Sequence, residues 1–215
     1  MLVTVAVAGL LGGCADGGGS AEKSAAELFD EANSTMNGLR SVTVEMTNAA
    51  PGGTVTTRLR TDLKERCAVR TTWAGKGSLE QIRVGGTDYV RPDAKYLESW
   101  KGEKLPGLKV GLWVKRPVSE ARPGEGLAEC GWPFESFGTA MKGETTRIGG
   151  RKAIELAVED EADGGTYTVH VAAEGEPYLL RVVHKGGGNV TTTSFSAFGE
   201  ALDIQAPAEV LDIGG

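Results

Sequence analysis

The sequence predicts an α+β fold dominated by antiparallel strands, and three observations carry that prediction. Near the amino terminus, apolar residues recur at three- and four-residue steps, the signature of one amphipathic helix. Two long stretches, about 41–92 and 147–199, alternate apolar and polar residues in short runs closed by Gly-rich turns, as hairpins do. The 32 glycines in 215 residues supply those turns, and contents of 40% hydrophobic and 24% charged residues describe a globular chain.

The helix comes first. In "SAEKSAAELFDEANSTMNGLR", Ala25, Leu28, Phe29, Ala32, Met36 and Leu39 form a stripe, while Glu22, Lys23, Glu27, Asp30 and Glu31 take the other side. Ser20 or Ser24 caps it, the latter with Glu27 three residues on, and Gly38 ends it. The strands follow. "SVTVEMTN" and "TVTTRLRTDL" flank the turn "AAPGG", and the second sets Val55, Leu59 and Leu63 against Thr56, Arg58 and Arg60. "CAVRTTWA" places Cys67, Val69 and Trp73 on one side, and "LEQIRVGGTDYVRP" gives two more strands around Gly85 and Gly86.

The middle, from about Asp93 to Lys142, is less regular. "AKYLESWKG" reads as a short helix and "GLWVKRP" as a short strand. "GWPFESFGTAM" reads as a helix starting near Pro133 and presenting Phe134, Phe137 and Met141. Strand signals then return in "TRIGGRKAIELAVED", "GGTYTVHVAAEG", "EPYLLRVVHKGGG" and "NVTTTSFSAFG", a four-strand antiparallel meander in which His170 falls on the polar face and His184 near a turn. The tail "EALDIQAPAEVLDI" is an extended segment containing proline. No repeat or long polar tract divides the chain, so residues 24–215 are expected to form a single domain.

Before the helix, Leu2 to Leu11 are all apolar or small. That is too short to span a bilayer and the right length for a signal-peptide core. "LGGC", Leu11 to Cys14, resembles the bacterial lipobox. The resemblance implies that residues 1–13 are a lipoprotein signal peptide and that Cys14 carries thioether-linked diacylglycerol. Two or three acyl chains hold a membrane firmly where one does not. The polar, Gly-rich residues 14–23 then form a flexible tether. The opening carries no Lys or Arg, unlike most signals, so either the start codon is placed too far downstream or the signal is weak, and the misplaced start is the preferred reading. The expected location is the extracytoplasmic face of the cell membrane, held by the lipid anchor.

With Cys14 modified, Cys67 and Cys130 remain, an even number in an oxidising compartment, and a disulfide is the natural reading. Buried thiols or metal ligands are the alternatives. Two cysteines without nearby histidines make a poor zinc site, and no C-x-x-C suggests redox work. A G-x-S-x-G elbow, an H-E-x-x-H, a P-loop and a G-x-G-x-x-G between strand and helix are all missing, so no catalytic residue, metal or cofactor is assigned. A net charge of −6 with scattered Lys and Arg offers no stripe for nucleic acid.

A helix, a strand meander, an irregular insertion, a second meander and an extended tail follow in order. With "GGTDYVRP", "GLWVK" and "YLLRVVHKGG…TTTSFSAFGEALDIQAPAEV", this order resembles the LppX/LprG-type lipid-binding lipoproteins of the LolA-like superfamily. The resemblance implies a strongly curved antiparallel sheet, a half-barrel, with helices packed in its concave face and an apolar cavity between them. Candidate lining residues are Leu28 and Met36 from the helix and Leu59, Val69, Trp73 and Ile82 from the first meander. Trp113 and Phe137 come from the middle, and Leu156, Val169 and Leu180 from the second meander. The implied job is binding a lipid or glycolipid for transfer or sensing, as a monomer and without chemistry. The alternative is an envelope interaction or signalling-accessory module of the same fold with a collapsed cavity.

Overall fold

The computed structural model describes residues 23–100, 108–120, 127–160 and 164–212. The expected signal peptide, Cys14 and all of the tether but Lys23 lie outside the described residues. The first helix opens on a capping box: Ser24 Oγ accepts from the Glu27 amide at 3.2 Å, and the Ser24 amide donates to the Glu27 carboxylate at 2.8 Å. Helix α1 spans Ala25–Asn37, and Ala25, Leu28, Phe29, Ala32 and Met36 of its stripe are buried.

The strands of the first meander are β1 (Val42–Ala50), β2 (Gly53–Thr61), β3 (Cys67–Trp73), β4 (Gly77–Val84) and β5 (Thr87–Pro92). Helix α2 (Ala94–Trp100) and strand β6 (Trp113–Pro117) follow. The second meander holds β7 (Thr139–Ile148), β8 (Arg151–Asp160), β9 (Gly165–Ala172), β10 (Leu179–Gly186) and β11 (Asn189–Ser196). A last short strand, β12, covers Val210–Asp212. All twelve join one sheet in the order β12-β6-β5-β4-β3-β2-β1-β11-β10-β9-β8-β7. Every pairing is antiparallel except β12 on β6. The two meanders meet where β1 pairs with β11, from Thr43 opposite Ser196 to Ala49 opposite Val190.

Register decides what each face carries. Phe195, Val44, Leu59, Val69, Gln81, Val90 and Val114 form one cross-strand row on the inner face, the face that α1 covers. One residue along, the outer row reads Glu45, Arg58, Arg70, Glu80, Arg91 and Trp113. Charges of opposite sign pair along it: Arg58 reaches Glu45 at 3.0 Å and Arg70 reaches Glu80 at 3.3 Å, while Arg91 also pairs with Glu80. An antiparallel sheet with one covered and one wet face is built this way.

The main core joins α1 to Val44, Leu59, Val69, Ile154, Leu156, Val169, Val171, Leu179 and Phe195. A second cluster gathers α2 onto Leu79 and Val90, with Trp73, Tyr96 and Trp100 in mutual ring contact. A third joins Ala153, Ala172 and Leu180 to the stacked rings of Tyr178 and Phe198.

The structure corrects the sequence reading in four places. Residues 131–137 form no helix; they run without regular structure, and Met141 lies in β7, 53% exposed. Gly138 closes the run at φ +59, where a Cβ would collide with the Glu159 carbonyl. Strand β7 was not separated from β8, because as an exposed edge it has no buried face to impose alternation. The tail ends in a strand, β12. His170 is buried, 7% exposed, since the third cluster covers the outer face next to it.

Candidate functional site

The segment expected to be a helix is a strap across the inner face, held at five points. Its sequence offers hydrogen-bonding groups and a cysteine at the right places. Cys130 is bonded to Cys67 at the start of β3, and both are buried, so the expected disulfide is present. Thr61 Oγ1 donates to the Cys130 carbonyl. Gln81, itself buried, clamps Ala128 from both sides: its Oε1 accepts from the Ala128 amide at 2.8 Å, and its Nε2 donates to the Ala128 carbonyl at 3.0 Å. From α1, Asn37 donates to the Phe134 carbonyl at 2.7 Å and Asn33 to Ser136 Oγ at 2.9 Å. Phe134 and Trp132 then set their rings against Phe195, at 5.7 and 6.0 Å.

Beneath Gln81 lies a buried ion pair. Asp88, wholly shielded from solvent, accepts two bonds from Arg83, both at 2.8 Å, and one from Gln81 Nε2 at 2.9 Å. The hydrogen bond to Asp88 raises the Arg83 guanidinium still further above its ordinary value. A bidentate pair with its remaining lone pair satisfied is the arrangement in which burying two charges is tolerable. Here it fixes the rotamer of the glutamine that holds the strap.

The second support is the entry to α2. Asp93 Oδ1 accepts from the Tyr96 amide at 2.7 Å, and Oδ2 accepts from the Ser78 amide at 2.9 Å and its hydroxyl at 2.8 Å. Burial would raise this carboxyl, but the three hydrogen bonds together outweigh it and hold it below the ordinary carboxylate value. Gly77 sits directly against this turn at φ +91, where a Cβ would strike the Tyr96 amide.

Between strap and sheet a cleft of about 670 Å³ remains. Val44, Met46 and Leu59 form its floor, and Leu127, Ala128, Trp132 and Pro133 its roof. Thr57 and Thr71 also line it, but their hydroxyls lie 3.3 Å apart and satisfy one another. Glu129, an exposed residue, contributes a charge. The chemistry on offer is apolar contact. Among the described residues, no three His, Cys, Asp or Glu side chains gather as a metal site, and no helix is long and apolar enough to cross a membrane.

Of the candidate lining residues, the structure places Leu59 in the cleft. Leu28, Met36, Val69, Leu156 and Val169 belong to the main core, and Phe137 packs on it, ring to ring with Phe29 and Tyr167. Trp73 joins the α2 cluster. Ile82, Trp113 and Leu180 lie on the outer side of the sheet: Ile82 and Trp113 line an outer groove, and Leu180 belongs to the third cluster. Two causes explain these three. In "LEQIRV" and "GLWVK" the inward neighbours of Ile82 and Trp113 are Gln81 and Val114, so the larger apolar side chain of each adjacent pair is not the one that faces the core. At Leu180 the register shifts between Leu179 and Arg181, a bulge that alternation does not reveal. Val44, Met46 and Trp132 were missed; the first two stand two apart in "SVTVEMTN", which carried the signal.

A broad antiparallel sheet with one face covered by a helix and a crosslinked strap, and an apolar cleft beneath, is consistent with the LolA-like fold that the sequence resembled. Among solved structures, LprF from Mycobacterium bovis superposes with a TM-score of 0.59, covering 86% of this chain and 97% of that one at 12% identity. The lipoprotein LppX from Mycobacterium tuberculosis gives 0.55 over 84% and 99%, at 14% identity. At such identities the likeness is one of fold. Neither a protein-family profile nor a curated sequence matches the chain.

Proposed function

We propose that the protein is a lipid-anchored, extracytoplasmic binder of an acylated lipid or glycolipid, and that the cleft between β1–β3 and the strap takes the acyl chain. The cleft is the observation that carries this reading. Its size falls within the roughly 300–1,000 Å³ of small-ligand sites, and its walls are mostly apolar. Transfer into it is driven by burying apolar surface at about 25 cal/mol per Å² and needs no covalent step. In this reading the sheet curls around α1 as a half-barrel, and the strap is the element whose displacement admits the ligand. Cys14, if acylated, precedes the first described residue, Lys23, by nine positions, a tether spanning at most about 30 Å.

The test uses the chain from residue 15 onward, which retains every described element. Gentle mass spectrometry of the purified protein should show bound lipid, and Met46→Trp, which fills the cleft, should reduce the occupied fraction severalfold without altering the melting temperature. A lipid-free protein that takes up no fluorescent fatty acid, or a folded Met46→Trp with unchanged occupancy, overturns the proposal.

A further inference from the structure

The outer face holds a second concavity, of about 330 Å³, over β2 to β6. Its floor is apolar, with Ala68, Ile82 and Trp113, and four arginines ring it: Arg58, Arg60, Arg70 and Arg91. Glu80 is the one acidic residue among its walls and Glu45 pairs with Arg58 from the rim, so four arginines face two carboxylates and the groove keeps a net positive charge in a chain whose net charge is −6. Arg91 stacks over Trp113, 4.6 Å from guanidinium carbon to ring centre, which keeps that cation at the surface of the groove. Immediately before Trp113 runs a tight turn, closed by the Leu112 amide donating to the Lys109 carbonyl at 3.3 Å. It displays Val110 and Leu112, 56% and 45% exposed, beside Lys109.

We infer that this face is a docking surface for an anionic lipid bilayer. Two unrelated features meet at Trp113, which lines the groove and directly follows the turn. Clustered arginines complement a negatively charged headgroup layer. Exposed aliphatic side chains flanked by a lysine and a tryptophan suit the boundary between headgroups and acyl chains. A protein partner would be expected to meet a face matched in shape, whereas a projecting greasy turn beside a positive groove matches a soft, charged layer. The inference stands apart from the cleft, which opens on the other face of the sheet, and holds whether or not the cleft binds lipid.

The experiment is sedimentation of the chain from residue 15 onward with vesicles of phosphatidylglycerol or of phosphatidylcholine. Retention on phosphatidylglycerol alone, lost in about 0.5 M salt, is the expected result. Arg60→Gln with Arg70→Gln should weaken binding about thirtyfold, while the matching double change to Lys retains it. Val110→Ser with Leu112→Ser should weaken it at every salt concentration at which the parent binds. Absence of binding at low salt, equal retention on both vesicles, unchanged binding in the folded Gln variant, or capture of a protein with no vesicle binding would each overturn the inference.

Discussion

Removing the Cys67–Cys130 link is expected to lower stability by about 4 kcal/mol. The two cysteines are separated by 63 positions, and a crosslink closing such a loop removes about 14 cal/mol per kelvin of entropy from the unfolded chain. Against a total of about 5–15 kcal/mol for an ordinary domain, that is a quarter or more of what holds the fold. The native state should nevertheless persist at neutral pH, because the strap keeps the Gln81 clamp and its bonds to Thr61, Asn37 and Asn33. The assay is urea unfolding of Cys67→Ala/Cys130→Ala beside the parent. Circular dichroism follows the sheet, and fluorescence follows the four tryptophans, of which Trp132 lies against Phe195 in the strap. The far-ultraviolet signal without urea should be unchanged, the midpoint lower and the slope steeper, since the freed unfolded chain exposes more surface. A loss below about 1 kcal/mol would refute the entropic reasoning. Disappearance of the sheet signal before any urea is added would refute the claim that the polar pins suffice.

Gly77→Ala should cost about 3 kcal/mol in the same titration, because it joins an unfavourable φ to a collision with the Tyr96 amide; Gly85→Ala, with open space around it, should cost less. Asp93→Ala should lose about 1–2 kcal/mol at pH 7. The folded carboxyl titrates below its unfolded value, so the stability it contributes is complete above the unfolded value and fades as pH falls through the folded one. Thermal melts across that acidic window should be flatter in the variant. His170 is lowered from its ordinary 6.5, first by burial, with Glu155 partly opposing it. The unfolded chain therefore takes up the proton first, and stability declines as pH drops below about 6.5. His170→Gln should remove that part of the decline, and an unchanged pH profile would show that the imidazole is not shielded.

The local elements were largely readable from sequence. The stripe and capping box fixed α1, and alternation with Gly-rich turns marked β1–β5 and β8–β11, because each of those segments buries a definite face. Residues 131–137 misled because Phe134 and Phe137, three apart after a proline, imitate a helix start. The strap's backbone is instead paired at Ala128 with Gln81, at Cys130 with Thr61 and at Phe134 with Asn37, all distant in sequence. The cleft was legible in kind but not in place. Leu28, Met36, Leu156 and Val169 are as apolar as any lining residue, and only packing reveals that α1 seals them off. Gln81 and Asp88 gave no signal as a support, since a polar residue at an inward position becomes meaningful only when its partners are known.

The pairing of β1 with β11 bears on how the chain is assembled. Each meander zips from neighbours close in sequence, but the stitch between them unites residues near 45 with residues near 194. As the chain emerges from its amino terminus, the amino-terminal meander must wait with one border unsatisfied until nearly all of the polypeptide is available. The border that waits longest becomes the middle of the finished sheet, where no exposed edge remains to recruit another molecule.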